Sequence, residues 1–138
     1  MTRFPRSDTR KKVMDGLRQV VSLIVKSGIS CTMWTNGSFL TQEINPRDVD
    51  LVFLYPSHFA DHGTPEQQAL LEWLTSRVNE PKKLYLCDTH AEPIFPDNHP
   101  QYYMVPDALE YWKRVYGRSV QKGEPKGIAV VEILGETP

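Results

Sequence analysis

The sequence WTNGSF at residues 34–39 precedes DVDLVFL at residues 48–54. This order predicts a strand, a tight Gly-Ser turn, a short connection and a second strand. Because side chains alternate along a strand, we expect Asp48 and Asp50 on one face and apolar residues on the other. Two adjacent carboxylates repel each other unless they share a cation, and oxygen ligands suit magnesium. Since the turn can offer a backbone amide and a hydroxyl to phosphates, the region is interpreted as an active site.

The same residues resemble the signature of the DNA polymerase β-like nucleotidyltransferase superfamily. That signature has a hydrophobic residue, Gly-Gly or Gly-Ser, a spacer, and an acid-hydrophobic-acid-hydrophobic segment; here these are GS at 37–38 and DVDL at 48–51. The similarity is strongest to short, stand-alone bacterial members, an uncharacterised minimal group of the superfamily. The segments YWKRVYG at 111–117 and KGIAVVEI at 126–133 are also similar to proteins of this group. The resemblance implies a single nucleotidyltransferase-like domain over residues 1–138.

The resemblance also implies a reaction and a role for each motif residue. Asp48 and Asp50 would bind Mg²⁺ or Mn²⁺, with Asp50 bridging two ions. Gly37 and Ser38 would hold the triphosphate of a nucleoside triphosphate (NTP) substrate. A nucleoside monophosphate would then pass to a hydroxyl of a protein or RNA acceptor, with release of pyrophosphate. Such transfer depends on positioning and on charge neutralisation.

Two-metal transfer usually employs a third carboxylate. In the resembled superfamily this residue lies on a later strand beside the aspartate pair, and Asp88, at the end of the predicted third strand, fits that order. A ligand from a neighbouring strand would lie about 4.8 Å away, the spacing between paired strands. Glu92 and Glu132 are the alternatives, and Glu132 has the advantage of lying within a predicted strand.

Partners and alternative functions follow from the resemblance and from the charge distribution. Short members of the superfamily often act in toxin–antitoxin or defence pairs, and the small size favours a protein partner or a homodimer that completes the cleft. A non-catalytic nucleotide- or partner-binding relative is the first alternative. An RNA-binding module is the second, because residues 1–30 carry seven Lys or Arg against two acids.

Composition restricts the class of protein. The 138 residues are 40% hydrophobic and 24% charged, as expected for a globular domain large enough to bury a sizeable core. No apolar run is long enough to span a bilayer and the N-terminus has no signal core, so a cytoplasmic protein without membrane contact is expected. Cys31 and Cys87 lie in predicted strands, which favours buried, reduced thiols.

The remaining elements follow from apolar spacing and from helix-end signals. The order of helix, strand, strand, helix, strand, helix and strand predicts an α/β (α+β) fold, with a mixed sheet flanked by helices. The predicted helices cover residues 7–26, 65–79 and 106–116, and the predicted strands cover 30–35, 48–55, 83–87 and 127–134. Residues 91–95 either continue the third strand or begin a partner strand. Gly28 is predicted to end the first helix, and Thr64 to cap the second with Gln67 as its capping-box partner. The second helix is predicted to bury Val78, and Tyr116 is assigned mainly to the core.

Overall fold

The chain forms five helices and four strands within its described part, which in this computed structural model comprises residues 6–36, 49–76, 78, 80–117 and 128–136. The helices are α1 (Arg6–Ser27), α2 (His58–His62), α3 (Pro65–Thr75), α4 (Glu80–Tyr85) and α5 (Val105–Gly117), with a 3₁₀ turn at Tyr102–Met104. The strands are β1 (Cys31–Asn36), β2 (Val49–Pro56), β3 (Cys87–Ile94) and β4 (Ile128–Ile133).

The four strands form one mixed sheet in the order β3-β2-β1-β4. β2 pairs in parallel with β3, whereas β1 pairs antiparallel with both β2 and β4. The α/β (α+β) prediction is confirmed, and β2 is an internal strand, as its apolar sequence indicates. A parallel pair requires a crossover connection, which here contains α2, α3 and α4.

Apolar clusters cover both faces of the sheet. On one face, α1 and α3 pack against the odd-numbered residues of β2. On the other face, α5 packs through Trp112 and Tyr116 against Val52 and Leu54. Burial on both sides explains why residues 51–55 form an unbroken buried run, which is typical of an internal strand.

Local signals in the sequence fix two helix ends. α1 ends at Gly28, whose φ of 87° is the left-handed conformation that glycine adopts without a steric penalty. α3 begins with a capping box, in which the side chains of Thr64 and Gln67 each accept a hydrogen bond from the other's backbone amide. Both features were predicted from the sequence.

The segment after α3 was predicted incorrectly. Residues 83–85 belong to α4 rather than to a strand, and β3 starts only at Cys87. The turn between them is at Leu86, a bulky residue with φ of 59°, in a conformation that usually requires glycine. Because no glycine marks this helix end, the sequence carries no stop signal. α3 also ends at Thr75 rather than at residue 79, which leaves Val78 58% exposed instead of buried.

Both cysteines are buried and neither forms a disulfide bond, as predicted. In the described part of the chain, no helix has both the length and the apolarity needed to cross a membrane.

The contact between α1 and α4 gives a test of this architecture. A Cβ added at Gly16 would lie 1.8 Å from the carbonyl oxygen of Tyr85. Although alanine favours a helix over glycine by about 1 kcal/mol, Gly16→Ala is expected to lower the free energy of unfolding, by roughly 1–3 kcal/mol as in overpacked cores. Urea denaturation measures this change. The exposed Gln19→Ala in the same helix is the control, and a Gly16→Ala variant as stable as wild type would contradict the α1–α4 packing.

Candidate functional site

Two carboxylates lie side by side at one end of the sheet. Asp50 is the second residue of β2, Asp88 is the second residue of β3, and the two are paired in register in the parallel ladder. Adjacent strands are about 4.8 Å apart, and paired residues point to the same face. We call this face, which also carries Val52, His90 and Glu92, the carboxylate face. The expected position of Asp88 beside Asp50 is therefore observed, although Asp88 is at the start of its strand rather than at its end.

The backbone around the two aspartates is held by hydrogen bonds from neighbouring elements. The buried hydroxyl of Thr35 donates to the backbone carbonyl of Asp50 at 2.9 Å. The amide of Val49 donates to the carbonyl of Leu86, also at 2.9 Å. The left-handed Leu86 thus ends α4 and at the same time fixes the register in which β3 begins. A helix end and a strand register together determine where Asp88 lies.

Two basic side chains lie near Asp88. The Nζ of Lys82 is 4.0 Å from Oδ2 of Asp88, and the Nε2 of His90 is 3.7 Å from Oδ1. The Lys82 side chain is 49% exposed, so its attraction to the carboxylate is weakened by solvent. Both contacts are long for hydrogen bonds. The Lys82 cation offsets part of the repulsion between Asp50 and Asp88, and His90 adds to this only when its ring is protonated.

Helix α5 brings aromatic rings to the carboxylate face. The ring centroid of Trp112 lies 5.0 Å from that of His90. The Tyr116 ring stacks on the Trp112 ring with 5.9 Å between their centroids. Burial raises the pKa of the Tyr116 phenol, and the negative charges of Asp50 and then Asp88 raise it further. The phenol is therefore a protonated hydroxyl near both carboxylates at neutral pH, and it can act as a hydrogen-bond donor.

The alternative third carboxylates lie farther away. Glu92 pairs with Leu54, four residues along β2 from Asp50, which is about 13 Å at the rise of a strand. Glu92 accepts a hydrogen bond from the indole of Trp112 at 2.9 Å. Glu132 lies on the edge strand β4, where it accepts from the hydroxyl of Thr32 at 3.0 Å. Of the three candidates, Asp88 alone is beside Asp50.

The other predicted site residues, Gly37, Ser38 and Asp48, lie outside the described residues. Their roles in phosphate and metal binding stay predictions. Among the described residues, no group of three or more His, Cys, Asp or Glu side chains is placed to hold a metal ion. The described part of the proposed site therefore supplies two carboxylates, Asp50 and Asp88, and any third protein ligand would come from outside it.

Sequence reasoning missed three residues that shape this site. Tyr116 was assigned to the core, and its burial confirms that, but its position near the two carboxylates was not inferred. Tyr116 follows Trp112 by four residues, so the two side chains share one face of the helix, and this spacing could have placed Tyr116 on the face that meets the sheet. Thr35 and Leu86 act through the backbone, and nothing in their residue types indicates that contribution.

The fold and the paired carboxylates define a small α+β protein with an acidic site at one end of a mixed sheet. The chain belongs to a family of unknown function, DUF6932, whose model matches residues 1–132. No curated protein and no solved structure matches the chain.

Buried acidic protons on both faces of the sheet predict how stability depends on pH. Burial raises the pKa of the Cys31 thiol from 9.0 to about 12, with a smaller contribution from Glu132, and the pKa values of Tyr55 and Tyr116 are also raised. Above pH 9 the unfolded chain releases these protons while the folded chain retains them, so the free energy of unfolding should fall as pH rises.

Urea denaturation at pH 7.5 and at pH 10.5 measures this loss. Tyr116→Phe removes one of the buried phenols and is expected to reduce the difference in unfolding free energy between the two pH values. The exposed Tyr103→Phe is the matched control. The same loss in wild type and in Tyr116→Phe would contradict the account of the Tyr116 environment.

Proposed function

We propose that the protein is a Mg²⁺- or Mn²⁺-dependent nucleotidyltransferase that moves a nucleoside monophosphate from an NTP to a hydroxyl of a protein or RNA. The observation that carries this proposal is the in-register pairing of Asp50 with Asp88 on adjacent parallel strands. This pairing places a second carboxylate beside the one that belongs to the DVDL motif. It is the arrangement that the resemblance to the polymerase β-like superfamily requires.

The residues fit a hard divalent cation. Asp50 is exposed and Asp88 is partly buried, so both carboxylates can reach a solvent-accessible ion. Oxygen ligands match the preference of magnesium, which normally takes only one or two carboxylates and completes its shell with water and phosphate oxygens. Asp48 would add a third ligand on the same face. When bound, the metal supplies positive charge that polarises the phosphates and stabilises the leaving group.

The protein's own residues then position the reactants. Gly37 and Ser38 hold the triphosphate, while Asp88 orients the acceptor hydroxyl for in-line attack on the α-phosphorus. The new bond joins the acceptor oxygen to the α-phosphorus, and the bond to the β-phosphate oxygen breaks, so that pyrophosphate leaves. The hydroxyl proton passes to Asp88 and then to solvent. The protonated Tyr116 phenol contributes a neutral donor near the carboxylates and adds no negative charge to the site.

A specific observation supports a second candidate, a nucleotide-binding protein of the same fold that does not catalyse transfer. Lys82 and His90 lie within 4.0 Å of Asp88, and the Lys82 cation can partly neutralise the carboxylate without a metal. In such a protein, the two basic groups would contact phosphate while Asp88 would have only a structural role. The two candidates differ in whether transfer occurs and whether Asp88 is needed for it.

The acceptor and the cellular setting are further parts of the proposal. Association with a partner protein in a toxin–antitoxin or defence pair, or formation of a homodimer that completes the cleft, rests on the resemblance alone. The two buried cysteine thiols, neither of which forms a disulfide bond, support a reducing compartment, and we place the protein in the cytoplasm.

The experiment is incubation of the protein with each α-labelled NTP, Mg²⁺ and a lysate containing protein and RNA. Label is expected in one class of macromolecule. Asp88→Asn should lower the rate roughly a thousandfold or more, because it removes a ligand that acts in the transition state. Asp97→Asn, an exposed loop carboxylate, is the matched control and should transfer at the wild-type rate.

Two outcomes would contradict the proposal. If no macromolecule takes up label while the protein still binds an NTP, the non-catalytic candidate is correct. If transfer occurs and Asp88→Asn is as active as wild type while Glu92→Gln is inactive, the third carboxylate has been misassigned. Circular dichroism of each variant establishes that the fold is intact.

A further inference from the structure

The two edges of the sheet differ in how they are protected against pairing with a further strand. β3 forms one edge and carries Pro93, which has no backbone N–H to donate, together with the polar side chains of Asp88, His90 and Glu92. β4 forms the other edge, and its sequence, IAVVEI, has no proline and one charged residue, Glu132. The β4 edge thus lacks the residues that usually prevent strand pairing.

β4 exposes apolar side chains on both faces of the sheet. Val130 is paired with Trp34 and lies on the carboxylate face, where it is 56% exposed, while Val131 lies on the opposite face and is 45% exposed. Leu134, directly after β4, is 77% exposed. Within the described part of the chain, β4 pairs with β1 and with no second strand. An apolar edge strand of this kind is a template on which another strand can pair.

Two-fold symmetry restricts how a second copy of the chain can pair with β4. A two-fold axis perpendicular to the sheet makes the two β4 strands antiparallel. In an antiparallel pair, two residues that face each other turn their backbone groups either both toward the partner strand or both away from it. Because this orientation alternates along a strand, the axis must pass through a residue position and cannot lie between two residues.

Among these positions, Val131 gives the most complete pairing. Residues 128–134 are symmetric about Val131, so an axis there pairs all seven of them. It places Val130 opposite Glu132 of the second copy, and no carboxylate then faces another carboxylate. An axis at Glu132 would place two like charges opposite each other, which is unfavourable. β4 therefore meets the requirements of its own edge, since it is extended, apolar on both faces and free of a clash at its single charge.

We propose that the protein self-associates through β4, which pairs antiparallel with β4 of a second copy about a two-fold axis at Val131. The two sheets then form one sheet of eight strands, and the second copy covers the exposed side chains of Val130, Val131 and Leu134. β4 is separated from β3 by three strand spacings, or about 14 Å. The acidic site therefore stays open in this dimer, and the inference goes beyond the proposed reaction and does not depend on it.

The first test is sedimentation velocity of the full chain. At about 100 μM, which is well above a micromolar Kd, the wild-type protein is expected to sediment with twice the 15.9 kDa mass of one chain. Val131→Lys places two like charges at the axis and should weaken self-association about tenfold or more. Val78→Lys, at an exposed valine outside β4, is the matched control and should self-associate as the wild type does.

Two results of this test would overturn the inference. A wild-type protein that is monomeric at this concentration would leave the β4 edge to a different partner. A Val131→Lys variant that self-associates as strongly as the wild type would place the interface elsewhere. Circular dichroism of the variants establishes that each is folded.

The second test uses Val130→Lys to examine the register. With the axis at Val131, this substitution places a lysine opposite Glu132 of the second copy on both sides of the axis. Opposite charges then pair twice, so the dimer should persist with a Kd equal to that of the wild type or lower. With the axis at Val130, the two lysines would face each other instead. Dissociation of the Val130→Lys dimer while Val131→Lys remains dimeric would overturn the assigned axis.

Discussion

The parallel pairing of β2 with β3 is the constraint on which the rest of the structure depends. Parallel strands need a crossover connection, so the helices that connect β2 to β3 must cross one face of the sheet. On that face, the odd-numbered side chains of β2 are buried against α3 and α1. The same pairing places Asp50 beside Asp88 on the other face. A shift of one residue in this register would turn Asp88 to the face that α1 and α3 cover, and Asp50 would no longer lie beside a carboxylate of β3.

The second face is divided along the strands into an acidic end and an apolar end. Asp50, Asp88 and the hydroxyl of Tyr116 lie at the end where β2 and β3 begin, whereas Trp34 and Leu54 lie toward the other end. Helix α5 crosses between them, held by the hydrogen bond from Trp112 to Glu92.

Much of this arrangement could be predicted from the sequence, because the relevant signals are local. The 48–55 strand was recognised by its apolar run, α3 by its capping box, and Asp88 by its place on a strand after a helix. The start of β3 was not predictable in the same way. Leu86 adopts a left-handed conformation that its residue type does not signal, so residues 83–85, which lie in α4, were assigned to a strand. The position of Tyr116 depends on how α5 packs across the sheet, which apolar spacing alone does not specify. Gly37, Ser38 and Asp48 lie outside the described residues, so their roles stay predictions.

The central claim is that Asp50 and Asp88 bind one divalent cation, and paramagnetic broadening of backbone amide signals by Mn²⁺ tests it most directly. Because broadening falls steeply with distance, the ion's position can be read from which amides lose intensity in a ¹⁵N-correlated spectrum. The account predicts the strongest losses at residues 50–51 and 88–89, weaker losses near Glu92 and Glu132, and the disappearance of this pattern in Asp50→Asn. Broadening centred on Glu92 or Glu132, or losses at 50–51 and 88–89 that persist in Asp50→Asn, would contradict it.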